Sequence, residues 1–168
     1  MPKKNPGKLE LTNEELKKIA YLNLMRLKTE KRKPRDKISE LKGILHFGCD
    51  EAFGALAELL RDEWTALDHY ARMDVLETLE KAPKMGCIEP LLDLLADFED
   101  MEPKSRYLYQ QMSKIIELLG KSGKKWLPVV VRKYTERSTA LMREAAKSAL
   151  AHSRPGATRT AGWFENGG

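Results

Sequence analysis

The chain has 168 residues and is 42% hydrophobic, which suffices for one domain with a core. Charged residues make up 33%, aromatic residues 7% and the net charge is +5, a composition that favours a helical protein over a β-sandwich. No run approaches the roughly 18 apolar residues that cross a bilayer, and the first residues form no apolar signal segment. We therefore expect no membrane contact and a cytoplasmic location, with a nuclear one as the eukaryotic alternative.

The first predicted helix begins at Thr12 or Asn13, either of which can cap it, and ends before Pro34. Residues 1–12 are expected to form a flexible segment before this helix. A second, shorter helix is predicted from about Asp36 to Phe47. Apolar residues recur at helical spacing in both, as Leu16, Ile19, Ala20, Leu24 and Leu27 in the first and Ile38, Leu41, Ile44 and Leu45 in the second.

Short and long helices alternate in the middle of the chain. Residues 49–62 predict a short helix and residues 63–82 a longer one, and residues 85–100 and 105–123 repeat the alternation. Each longer helix carries an apolar stripe, formed by Leu67, Ala71, Val75 and Leu79 in the first and by Leu108, Met112, Ile115 and Leu119 in the second.

The segment 121–138 contains Trp126 and three consecutive valines, which alone would favour a β-strand. Pro128, however, aligns with Pro90 in the first turn of the preceding short helix, where a missing N–H does no harm. We therefore predict another short helix, followed by a long one that ends near residue 151. Arg132 and Lys133 stand where that alignment expects leucines, so this helix is the first place to look for a binding surface.

The alternation has a period of about 35 to 40 residues. The stretch AFGALAELLRD aligns with CIEPLLDLLAD at an offset of 35, which places Phe53 on Ile88 and Asp62 on Asp97. A further offset of 38 places Ile88 on Trp126. Repeated helix pairs of this length predict an α-solenoid, in which each pair buries its apolar face against its neighbours.

These repeats resemble the HEAT-repeat family, especially its short bacterial and archaeal type. AFGALAELL and CIEPLLDLL are similar to the first helix of a HEAT repeat, and MREAAKSALA is similar to the second. The resemblance implies an all-α, right-handed α-solenoid in one domain, residues 13–152, with four helix pairs at about 13–47, 50–82, 86–120 and 124–151. The turn after Gly48 lacks the usual Asp-Pro signature and the first helix of the last pair is irregular, so an ordinary helical bundle is the alternative.

Motifs for catalysis or cofactor binding are missing from the sequence. His46 and Cys49 have metal-ligand spacing but no second pair to complete four ligands. Trp64 and Asp68 could be cast as a glycosylase-like pair, yet Trp64 is expected to pack between helices. No nucleotide-binding loop or nucleophile motif is present. We therefore predict a protein that is not an enzyme, with no catalytic, cofactor-binding or metal-binding residues. Two cysteines without a disulfide framework favour a reducing compartment.

Charge is distributed in three blocks along the chain. Residues 1–42 hold 13 Lys and Arg against 6 Asp and Glu, residues 43–103 hold 4 against 15, and residues 104–168 hold 13 against 4. This pattern predicts two charged surfaces. The basic one comprises Lys114, Lys121, Lys124, Lys125, Arg132, Lys133, Arg137, Arg143 and Lys147, and the acidic one comprises Asp68, Glu77 and Glu80.

The predicted function is that of a protein–protein interaction module or adaptor with another protein as its partner. The alternative is a nucleic-acid-binding module that uses the basic C-terminal third. The chain is expected to be monomeric or to associate weakly, its acidic middle against the basic end of another copy. Residues 153–168 are predicted to be flexible or to cap the open end of the solenoid through Trp163 and Phe164.

Overall fold

The structure is a computed structural model that describes residues 10–82, 88–101, 105–122, 131–132, 134 and 140–153. Throughout these residues the regular structure is helical and contains no strand, which confirms the prediction of an all-α protein for this part of the chain. The α-helices within the described ranges are α1 Asn13–Thr29, α2 Pro34–His46, α3 Glu51–Asp62, α4 His69–Leu79, α5 Ile88–Asp97, α6 Arg106–Lys121 and α7 Ala140–Ser153.

Local capping fixes where α1 and α2 begin. The Thr12 side chain accepts a hydrogen bond from the Glu15 amide, and the Glu15 carboxylate accepts one from the Thr12 amide at 2.8 Å, which is a capping box. Pro34, predicted to stop the first helix, is itself the first residue of α2. Proline suits that position because its fixed φ is helical and no N–H is needed there. Gly48 has a φ of +83° and makes the turn into α3.

The longer helix predicted over residues 63–82 is divided in the structure. Trp64–Ala66 form a short 3₁₀ helix, and α4 begins only at His69. The Asp68 carboxylate accepts a hydrogen bond from the Ala71 amide at 2.9 Å, so it caps α4 instead of continuing a helix through Leu67. Ser105 caps α6 in the same way, by accepting from the Leu108 amide at 3.2 Å.

The helices pack in two series of neighbours. One series is α1, α3 and α5, in which each helix contacts the next. The other is α2, α4, α6 and α7, again in contact in that order. Helices that are adjacent in the chain also contact each other across the two series: α1 contacts α2, and α5 contacts α6. From α1 to α6 the chain therefore passes from one series to the other at each connection.

One hydrophobic cluster extends from α1 to α7 and includes residues of every α-helix. All four predicted stripe residues of α6 are buried in it, and so is Trp64, as predicted. Ile19 is an exception, because the sequence predicted it on the buried stripe of α1 and 44% of it is exposed. Ala20, Leu24 and Leu27, from the same predicted set, form the buried face of α1.

The two helices α6 and α7 approach each other closely at Gly120. A Cβ atom at this position would lie 2.4 Å from the Ala149 Cα atom, so only glycine fits without a shift of the backbone. Of the predicted short helix before α7, the described residues are Val131 and Tyr134, both buried, and the exposed Arg132. The Tyr134 hydroxyl donates a hydrogen bond to the Leu95 carbonyl at 3.2 Å. The predicted tail beyond Ser153 and residues 1–9 lie outside the described residues.

Candidate interaction surfaces

Glu80, at the end of α4, joins residues that the sequence placed on separate surfaces. Its carboxylate accepts hydrogen bonds from Lys114, at 2.8 Å, and from Lys121. The bond from Lys114, followed by that from Lys121, lowers the pKa of Glu80 to about 2. Partial burial alone would lower the pKa of Lys114, but the hydrogen bond and charge of Glu80 outweigh it and raise that pKa. The acidic and basic sets therefore meet at the contact of α4 with α6.

The acidic middle of the chain also pairs with the basic N-terminal block. Asp68 forms an ion pair with Arg35, and Asp74 accepts a hydrogen bond from Lys42 at 2.8 Å. Both pairs connect α2 with α4 or with its cap. Exposed pairs of this kind contribute about 0–1 kcal/mol each, so their main effect is on the distribution of charge. The three charge blocks of the sequence thus neutralise one another in part, within one molecule.

The remaining predicted charged residues have varied settings. Glu77 is exposed on α4, and Lys147 is exposed on α7 with its Nζ atom 3.7 Å from Glu144. Arg132 is exposed and Arg143 is half-buried. The other members of the basic set lie outside the described residues, namely Lys124, Lys125, Lys133 and Arg137.

A half-buried arginine, Arg72, connects three elements beneath one part of the surface. Its guanidinium lies 4.2 Å from the Trp64 ring centroid, a cation–π geometry. Its Nε and Nη2 atoms donate to the Trp64 carbonyl at 3.0 and 2.6 Å, and Nη1 donates to Gln111 Oε1 at 3.1 Å. Burial lowers the pKa of Arg72, against the opposing charge of Asp68. The start of α4 is thereby fixed to the 3₁₀ helix and to α6.

Two exposed tyrosines contact this network through His69. Gln111 Nε2 is 3.0 Å from His69 Nδ1, so the amide donates when His69 is neutral with its proton on Nε2. The His69 ring contacts Tyr107 with centroids 4.4 Å apart and Tyr70 at 5.5 Å. Tyr70 is 80% exposed and Tyr107 is 56% exposed. We call His69, Tyr70 and Tyr107 the tyrosine face.

A groove of about 380 Å³ lies beside the tyrosine face, between α2 and α4. Its apolar part comes from Ile38 and Ala71, and its charged part from the Arg35–Asp68 pair and Asp74. Tyr70 and Ser39 also line the groove. The groove therefore offers apolar, aromatic and charged contacts within a short distance of one another.

A second exposed surface lies on α1, on the side away from its buried residues. Large apolar side chains on this helix and just before it are between 44% and 66% exposed, and we call them the outer face of α1: Leu11, Ile19, Tyr21, Leu22 and Met25. A groove of about 580 Å³ runs along its edge, between α1 and residues 48–51. This face was not predicted from the sequence, although an excess of apolar residues around the whole of α1 was a usable signal.

Cys49 lines that groove as a buried thiol. Burial, together with a hydrogen bond that its Sγ atom donates to Glu51 Oε2 at 3.2 Å, raises the pKa of the thiol to about 11. A thiol in that state is a poor nucleophile at neutral pH. Among the residues that the structure describes, no group of three or more His, Cys, Asp and Glu side chains could hold a metal ion. None of the described helices has both the length and the apolar composition to cross a membrane.

No family model, curated protein or solved structure matches this chain. The resemblance to HEAT repeats therefore rests on the repeated motifs of the sequence alone.

Proposed function

We propose that the chain is a non-enzymatic protein-interaction module, an α-solenoid that binds a segment of another protein on the tyrosine face. The observation that carries this proposal is the pair of exposed rings, Tyr70 and Tyr107, at the second residue of the neighbouring helices α4 and α6. Tyrosine is a residue that protein interfaces use preferentially, because one side chain supplies both apolar area and a hydrogen-bonding hydroxyl.

The solenoid part of the proposal is supported by the order of helix contacts. In a HEAT-like array, the first helices of successive pairs adjoin one another and so do the second helices. The contacts of α1 with α3 and of α3 with α5, and those along α2, α4, α6 and α7, follow that order. The 35- to 38-residue offsets in the sequence give the same division into pairs.

Rigidity under the tyrosine face supports binding as its role. Arg72 and Gln111 hold His69, and His69 contacts both tyrosine rings. Side chains that are already ordered lose less entropy when a partner binds, so more of the contact energy is retained as affinity. The adjoining groove is a site for an extended segment or a short helix, whose apolar side chain would contact Ile38 and Ala71.

The nucleic-acid alternative depends on cations that are available to phosphates. Lys114 and Lys121 are paired with Glu80, and Lys147 lies near Glu144, so these three carry local counter-charges. Exposed aromatic rings, in contrast, can contact a protein partner on a surface that has no excess of positive charge. The observations on α4 and α6 therefore favour the protein-interaction hypothesis.

Site-specific photo-cross-linking tests this function. A photoreactive residue at Ser39, which is exposed in the groove, is used to capture partners in an extract of the source cells. We expect an adduct with a defined protein segment that is lost in the double variant Tyr70→Ala and Tyr107→Ala. The matched control Tyr21→Ala removes an exposed tyrosine of the outer face of α1 and should leave the adduct unchanged.

Two results would contradict the proposal. An adduct that persists in the double variant would mean that the tyrosine face is not the binding surface. An adduct with RNA or DNA instead of protein would favour the nucleic-acid alternative. Both tyrosines are exposed, so the melting temperature should stay within a few degrees in each variant and loss of binding cannot be ascribed to unfolding.

A further inference from the structure

We propose that the outer face of α1 binds the same face of a second copy of this chain, with the two α1 helices antiparallel. This two-fold contact differs from the head-to-tail association that the charge blocks predict, and it uses a surface separate from the tyrosine face. The apolar character of the face is the first argument for it. Leu22 is 66% exposed, and the four other large apolar side chains of this face are at least 44% exposed. Exposed apolar side chains that cluster in this way mark interaction sites.

The spacing along α1 suits packing against another helix. Glu15, Lys18, Leu22, Met25 and Thr29 follow one another at intervals of three and four residues, which places them in one line along the helix, and Leu11 precedes its N-cap. Ile19 lies on one flank of this line, and Glu14, Tyr21 and Lys28 lie on the other. The buried face, Ala20, Leu24 and Leu27, is on the opposite side, so a second helix can approach the line without displacing the core.

Charge selects the antiparallel orientation. With a two-fold axis at the level of Ala20, Glu14 of each copy lies near Lys28 of the other, which gives two ion pairs. Lys18 lies against Leu22 of the other copy, where its aliphatic stem can pack. A parallel pair would instead place Glu15 against Glu15 and Lys18 against Lys18, and like charges at such positions repel. The acidic residues of α1 lie in its first turn and its last turn is basic, so the face is complementary to itself only when the helices run in opposite directions.

The size of the face limits the strength of the dimer. The 17 residues of α1 form a helix about 25 Å long, and a contact along one such helix buries less than the roughly 800 Å² per partner of a standard interface. We therefore expect a dimer that dissociates at micromolar concentrations. That affinity suits a two-fold symmetric module that presents two tyrosine faces to a partner with repeated binding segments.

Sedimentation velocity of the full chain, from low to high micromolar concentration, tests the proposal. The unsubstituted chain should shift from monomer to dimer. Leu22→Lys places a second lysine against Lys18 of the other copy, twice per dimer, and should abolish the dimer, whereas Tyr70→Ala on the tyrosine face should leave it unchanged. Circular dichroism should show the same helix content in each variant, because Leu22 and Tyr70 are both exposed.

A charge exchange tests the antiparallel arrangement. Glu14→Lys and Lys28→Glu should each weaken the dimer by about tenfold, because two attractive pairs become repulsive. Glu14 rather than Glu15 is chosen because Glu15 belongs to the capping box. In an equimolar mixture of the two variants, each mixed dimer has opposite charges facing each other in both pairs. The mixture should therefore associate more tightly than either variant alone. A chain that is monomeric at every concentration, a dimer that survives Leu22→Lys, or a mixture that associates no better than its components would each overturn the proposal.

Discussion

The helices α1 and α6 are similar in length and differ in how they are covered. Of the 17 residues of α1, three are buried, and of the 16 residues of α6, nine are buried. Helix α6 contacts α4, α5 and α7, whereas α1 contacts α2 and α3. Both helices carry many apolar residues, so composition does not explain the difference. Position does, because α6 has described helices on several sides, whereas the described neighbours of α1, α2 and α3, lie on its buried side.

Substitution of the same residue type in the two helices should give the largest contrast. Ile115→Ala in α6 removes a fully buried side chain and should cost about 2–5 kcal/mol of unfolding free energy. Ile19→Ala in α1 removes a side chain that is 44% exposed and should cost less than about 0.5 kcal/mol. Urea denaturation at low protein concentration measures both. Equal costs would mean that the outer face of α1 is covered in the folded monomer.

Glycines give a second contrast, of intermediate size. Gly120→Ala would place a Cβ atom against the backbone of Ala149, so we expect a loss of about 1–3 kcal/mol. Gly54, in α3, has free space around it, because a Cβ atom there would meet nothing within 4 Å, so Gly54→Ala should gain about 0.5–1 kcal/mol from helix propensity. Thermal unfolding of the two variants measures the change in stability that each substitution causes. A stabilising Gly120→Ala would show that α6 and α7 lie further apart than their contact at Ala149 requires.

Glu80 gives the smallest effect, and its sign depends on pH. The folded-state pKa of about 2 lies below the ordinary value of 4.5, so the stabilisation is complete above pH 4.5 and is lost as the pH falls towards 2. Because the site is partly exposed, the unfolding free energy of the unsubstituted chain should exceed that of Glu80→Gln by about 0.5–1 kcal/mol at neutral pH. Urea midpoints measured across this pH range should converge at the acidic end. Added salt should reduce the difference in unfolding free energy between the two chains, because it screens the charges. A difference that stays constant with pH would argue against the contact of Glu80 with Lys114 and Lys121.

Periodicity predicted most of the described helices and most of their buried stripes, but it joined the 3₁₀ helix Trp64–Ala66 and α4 into one element. Leu108, Met112, Ile115 and Leu119 are buried as predicted, because a helix covered on several sides buries whichever stripe is most apolar. For α1 the same reasoning selected Ile19, since the apolar residues of that helix surround much of it. Periodicity identifies apolar sides but cannot count the neighbours that will cover them.

The interaction surfaces depended on contacts that no local pattern contains. Arg72 reaches Trp64 in one direction and Gln111, 39 residues away, in the other. Glu80 meets Lys114 and Lys121 over similar separations. Glu80 and the two lysines were predicted on separate acidic and basic surfaces, because the order of charge blocks does not reveal which helices are adjacent. Tyr70 and Tyr107 were not predicted as a site for the same reason, because their proximity follows from the contact of α4 with α6.

Hydrogen exchange of the chain with its captured partner bound locates the surface that the partner covers. If the module binds a protein segment on the tyrosine face, the added protection should appear at the starts of α4 and α6, over residues 69–74 and 106–111, and along α2 near Ser39. Protection confined to α7 and the basic residues that precede it, with none at Tyr70 or Tyr107, would contradict binding on the tyrosine face.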